Sequence, residues 1–190
     1  MKNIYRSSLL LFLFSLLLGC ASTRPIAFLH PEFDFSGIER VAVIPFEDLS
    51  NDQGIGNYAT RIFITELLAT EVFDIVEPGE VTSFLAARGQ IRVAELSLEQ
   101  IKQLGSLLNV QGVIFGTVGE STQFRSGNLT SHVISLDVRM VSVETGSTVW
   151  SSTVNTAGPG FLARLFGLGE QTRGDAVQKA TRKLIKTLIR

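Results

Sequence analysis

The chain has 190 residues, 45% of them hydrophobic, 18% charged and 8% aromatic, enough for one domain with a sizeable core. Seventeen basic side chains face eighteen acidic ones, a formal net charge of −1, so the whole-chain basic footprint of a nucleic-acid binder is absent. A single Cys excludes an internal disulfide framework, and no Cys and His lie at zinc-ligand spacing.

Residues 1–19 read as a sorting signal. Lys2 and Arg6 form a positive start, and Leu9 to Leu18 form an apolar run broken only by Ser15. That run is short of the roughly 20 residues a spanning helix needs, but it suits the core of a secretory signal. It closes on Leu17-Leu18-Gly19-Cys20, which resembles the lipobox of bacterial lipoproteins. The resemblance implies cleavage before Cys20, whose thiol and new amino group then carry fatty acyl chains such as palmitate. With Ala21 rather than Asp after the Cys, it also implies the periplasmic face of the outer membrane. More than one acyl chain makes a stable anchor.

Residues 20–37 lack a clean period and carry Pro25, Pro31 and Gly37, so they read as a lipidated tether. Its full extension is at most about 60 Å. Phe28, Leu29, Phe33 and Phe35 are apolar for a free linker, so part of the segment is expected to lie on the body.

The remainder, 38–190, reads as a single domain. Arg40 to Phe46 is a short β-branched run ended by Pro45 and a polar loop, the pattern of a buried strand. A helix is expected over Gly54 to Thr70, with Ala59, Ile62, Phe63 and Leu67 on one face. Phe73 to Glu77 reads as a strand, Glu80 to Arg88 as a short helix stopped by Gly89. Ser97 and Gln100 have the spacing of a capping box opening a helix to about Leu108. Val110 to Val118, apolar on both faces, fits a central strand. Residues 132–143 alternate instead, with Ile134, Leu136, Val138 and Met140 on one side and Ser135, Asp137 and Arg139 on the other. Gly146 supplies a turn, and Thr148 to Val154 returns as the partner strand. Asp175 to Arg190 sets Val177, Ala180, Leu184 and Leu188 on one helical stripe. The expected class is therefore α/β (α+β), a mixed sheet with an antiparallel hairpin flanked by helices, in the order β-α-β-α-α-β-β-β-α.

The search for chemistry yields little. Gly54-Ile-Gly-Asn-Tyr-Ala59 fits G-x-G-x-x-A, with Glu77 about where a ribose-binding acid would fall. However, Glu47 to Gln53 separate the glycines from the preceding strand, and Glu47, Asp48 and Asp52 place negative charge beside any pyrophosphate. Asp48, Asn51 and Asp52 offer oxygen ligands for a hard cation, but without EF-hand spacing. His30 and His132 are the only histidines, and neither has a partner recognisable from spacing. No cofactor, metal site or catalytic set is expected, and the chain is not expected to be an enzyme.

What remain are surfaces. Phe161, Leu162, Leu165 and Phe166 fall together if helical, and either fold onto the sheet or contact a partner or membrane. Residues 170–190 hold six basic and two acidic side chains, whereas 20–169 hold nine and sixteen. Lys179, Arg182, Lys183 and Lys186 on the last helix either form a solvated face or meet an acidic neighbour, such as a second copy.

Three stretches carry a family resemblance: VAVIPFEDLSND (41–52), NVQGVIFGTVGE (109–120) and LDVRMVSVETGSTVWSS (136–152). They resemble the CsgG family of the curli secretion protein, and more distantly the LpoB-type activators of penicillin-binding proteins, through the Thr145-Gly146 hairpin and Trp150. The resemblance implies a periplasmic domain on an outer-membrane lipoprotein, with copies forming a ring. Two long hairpins per copy complete a transmembrane barrel in the secretion protein. Here the corresponding sites, Ser121–Ser131 and Ala157–Gly169, are short, and the first is polar. The expected function is non-catalytic protein–protein contact in cell-envelope export or assembly. The partners would be the bilayer through acylated Cys20, envelope proteins and copies of itself. The alternatives are a subunit of a secretion channel and an LpoB-like activator of a peptidoglycan synthase.

Overall fold

A computed structural model describes residues 25–89, 96–126, 129–156 and 171–189. Among these residues seven strands form one mixed sheet: β1 (Ile26–Leu29), β2 (Arg40–Val43), β3 (Glu47–Asp48), β4 (Asp74–Ile75), β5 (Gly112–Ser126), β6 (Leu129–Ser142) and β7 (Thr148–Asn155). Among the described residues four α-helices accompany it: α1 (Ile55–Leu68), α2 (Pro78–Ala86), α3 (Leu98–Leu108) and α4 (Arg173–Leu188). The expected element order is found, with β1 and β3 added as short strands.

The sheet runs β1-β7-β6-β5-β2-β4, with β3 also on β5. The β2, β3 and β4 pairings are parallel; those among β5, β6, β7 and β1 are antiparallel. The run from Arg40 splits into β2 and β3 at Pro45, which has no N–H to give the ladder. Phe46 turns inward there against Gly116, where any Cβ would strike its ring.

Both faces carry helices. On one, α1 and α4 bury Phe63, Leu67, Val177, Ala180 and Leu184 against Ile114, Val118, Leu136, Met140 and Trp150. Trp150 is fully buried, and its Nε1–H donates to Thr187 Oγ1 at 3.0 Å. On the other face, α2 and α3 pack Val81, Phe84, Leu85, Ile101 and Leu104 onto Ala42, Ile44, Val113 and Val141. Helix starts follow their sequence signals. Ser97 and Gln100 form the expected capping box, and Thr172 with Asp175 forms a second one opening α4. The Thr172 hydroxyl and backbone N–H, bonding the Asp175 carboxylate, hold its pKa below the ordinary value. Gly146 turns with φ 72°, as its place in the β6–β7 hairpin requires.

Two differences from the sequence expectation matter. Part of the 20–37 segment lies on the body as expected, with Phe33 and Phe35 packed against the core, but Ile26–Leu29 does so as an unexpected edge strand antiparallel to β7. The central hairpin is also longer than apolar content indicated, because β5 and β6 stay paired from Glu120↔Ser135 out to Ser126↔Leu129. Backbone pairing is indifferent to side-chain polarity, so a polar ribbon continues where the hydrophobic pattern stops. A bulge between Val118 and Glu120 leaves Gly119 unpaired and reverses which β5 side chains face α1 and α4.

Candidate functional site

That bulge builds the main polar cluster. Beyond it, Ser121 turns to the α1/α4 face, level with Ile134 and diagonal to His132. Asp52 arrives from the loop before α1, and Arg173 from the first turn of α4. Ser121 Oγ lies 2.7 Å from Asp52 Oδ2 and 2.9 Å from His132 Nε2. Arg173 Nε is 3.2 Å from the same Asp52 oxygen, and its guanidinium lies 5.6 Å from the Tyr58 ring centre.

A serine, a histidine and an aspartate are thus gathered, but in the wrong order for nucleophilic catalysis. A hydroxyl has one proton. With Ser121 donating it to the Asp52 carboxylate, the 2.9 Å contact requires His132 Nε2 to carry a hydrogen and donate to Ser121. Nε2 then has no lone pair with which to accept the serine proton. Asp52 lies 3.7 Å from that same nitrogen, rather than orienting the ring from Nδ1. The cluster is a closed latch joining loop, hairpin and helix.

The dinucleotide motif also resolves into packing. Gly54 is the N-cap of α1 at φ 78°, and Gly56 presses against the start of β3, where a Cβ would collide with the Phe46 carbonyl oxygen. Backbone occupies the space that a pyrophosphate would need. Glu77 is the N-cap of α2. Of the three oxygen-bearing residues considered for a cation, Asp48 and Asp52 are engaged with different partners. Asp48 Oδ1 accepts from the Ser50 N–H at 3.0 Å and its hydroxyl at 2.8 Å, while Asp52 serves the latch. Among the described residues, no group of three His, Cys, Asp or Glu is placed to hold a metal ion.

On the opposite face, α2 and α3 leave part of the sheet uncovered. A shallow groove of about 210 Å³ lies there, with Glu47, Asp137 and Arg139 among its lining residues. The Thr153 hydroxyl donates to Asp137, and the Arg139 guanidinium stacks 5.0 Å from the Phe115 ring centre.

Of the residues expected to make contacts, Cys20, Phe161, Leu162, Leu165 and Phe166 lie outside the described residues. Lys183 is half-buried and Lys186 exposed on α4. Part of that basic face is answered internally. Arg182 Nε donates to Glu66 Oε2 at 2.9 Å and Gln178 Nε2 to Glu66 Oε1 at 2.7 Å, and the Arg182 bond foremost holds the Glu66 pKa below its ordinary value.

The model of the family described as curli production assembly/transport component CsgG matches residues 34–190. The chain belongs to the CsgG family. The match takes in every described helix and every strand except β1. No curated protein matches. Among solved structures, the PelC dodecamer from Paraburkholderia phytofirmans aligns at TM-score 0.59 and 16% identity, over 86% of this chain and 96% of that one. Lipoprotein GNA1162 from Neisseria meningitidis aligns at 0.52 and 17%, over 68% and 93%. The LpoB C-terminal domain from Salmonella enterica aligns at 0.48 and 15%, over 62% and 82%. At these identities the likeness to PelC and GNA1162 is one of fold.

Sequence reasoning singled out Asp52 and His132 separately and did not join them through Ser121. They are 69 and 11 residues from it along the chain, and the bulge that aligns all three has only Gly119 as a signal.

Proposed function

We propose that this CsgG-family chain is a lipid-anchored envelope protein that works by protein contact in export or assembly and catalyses nothing. The observation that carries the reading is the family match over 34–190, which follows the Leu17-Leu18-Gly19-Cys20 lipobox after a short intervening segment. The closed hydrogen-bond arrangement of Ser121, His132 and Asp52 supports the non-catalytic part. Cys20 carries the acyl chains on the periplasmic face of the outer membrane. Phe161, Leu162, Leu165 and Phe166, with Lys183 and Lys186, make partner contacts. The dodecameric state of the similarly folded PelC supports copies of this chain among those partners.

The test has three arms. In cells, Cys20→Ser should leave an unprocessed, unacylated precursor by mass spectrometry; normal maturation and acyl content in that variant would overturn the anchor. Phe161→Ser with Phe166→Ser should weaken co-purification of crosslinked envelope partners while leaving thermal stability nearly unchanged. A large loss of stability would instead assign that segment to the core. Channel conductance by the purified protein in a planar bilayer would favour a pore-forming role over an adaptor.

A further inference from the structure

The edge strand β1 is unusual for what it lacks. Its sequence is Ile-Ala-Phe-Leu, all four residues are exposed, and Ile26 is 78%, Phe28 48% and Leu29 43% accessible. Its inner side pairs with β7, and among the described residues no strand lies on its outer side. Edge strands in soluble domains are normally blunted by charge, proline or a bulge; β1 has none within it. Phe28 makes only an edge-on contact with His30, ring centres 6.3 Å apart, among the ring contacts described.

The chain upstream identifies what covers this strand. From Cys20 to Ile26 is six residues, at most about 20 Å fully extended. On the proposed anchoring at Cys20, β1 therefore begins within that distance of the lipid surface, and Arg24 lies between them in sequence, suited to anionic headgroups. We infer that β1 is a second, shallow membrane contact, with Ile26 and Phe28 entering the headgroup–acyl boundary of the leaflet that holds the acyl chains. The depth has a physical ceiling. The outer N–H and C=O groups of an edge strand cannot be left unbonded in hydrocarbon, so the backbone stays at headgroup level while the side chains reach inward, about 5–10 Å. The anchor limits how far the domain strays, and β1 fixes which way it faces.

The test uses the full acylated protein in vesicles of phosphatidylethanolamine and phosphatidylglycerol. Phe28→Cys or Ile26→Cys carries an environment-sensitive fluorophore, with Leu107→Cys, 65% exposed on α3, as the control. At 26 and 28 the emission should shift to the blue and lose intensity when the vesicles contain brominated acyl chains. At 107 it should do neither. Protein that floats with vesicles but reports water at 26 and 28 overturns the inference and leaves the anchor standing. A blue shift that brominated lipid does not quench means a second copy covers the strand, and also overturns it. Protein that fails to float overturns the anchor, and the inference with it.

Discussion

The two faces of the sheet are built to different degrees of completion. Against α1 and α4 the cover extends from Ile114 on β5 to Trp150 on β7, and Leu136, Val138 and Met140 are all buried beneath it. Against α2 and α3 the cover ends near Val113, Phe115 and Val141, and Asp137, Arg139, Ser151 and Thr153 lie beyond it. The same strands thus serve a dry core on one side and a wet surface on the other. Alternation along β6 and β7 follows from that asymmetry, whereas β2, covered on both sides, has no alternation to show.

Neighbouring positions on one strand should therefore respond very differently to truncation. The largest effect is expected for Trp150→Ala, which empties the fully covered face and removes the Thr187 bond. It should cost about 3–5 kcal/mol in urea unfolding. Gly56→Ala tests the close seat of α1 on the Phe46 carbonyl, and an overpacking loss of about 1–3 kcal/mol is expected. Unchanged stability there would mean the helix start can move aside.

Asp52→Ala probes the latch at the rim of the covered face, and a loss of about 1 kcal/mol is expected because the group remains partly in water. Glu66→Gln should cost no more than about 0.5 kcal/mol near neutrality, since water screens the pair with Arg182. Its pH dependence has a definite sign. The folded-state pKa of Glu66 is lowered from 4.5, so the contribution is present above that value and is lost as pH falls through the lowered one. The difference between wild type and Glu66→Gln should shrink accordingly in unfolding curves taken at falling pH. On the open face, Ser151→Ala should change stability by less than about 0.5 kcal/mol; a larger loss would show that the groove is structurally committed.

The 3.6 and 2.0 periods in the chain, together with local stop and start signals, were enough to locate α1, α2, α3 and α4 and the β6–β7 hairpin. Those features depend on neighbours a few residues apart: Ser97 caps through Gln100, and Gly146 permits its own turn. The extent of the β5–β6 ribbon was not visible, because Ser121 to Ser126 carry no hydrophobic alternation and are held by backbone bonds across to β6. Nor was the strand conformation of β1: its apolar residues signalled contact with the body, but only β7 offers them a ladder.

Residue order alone determined the signal-like start, the lone Cys20, the balanced charge and the succession of helices and strands, since each is read locally or by counting. Tertiary structure decided that Gly119 bulges, that Ser121 consequently meets Asp52 and His132, and that β1 completes the sheet with an uncovered apolar edge. Those outcomes join residues 11 to 126 positions apart, and such pairings exist only once the strands between them have found their register.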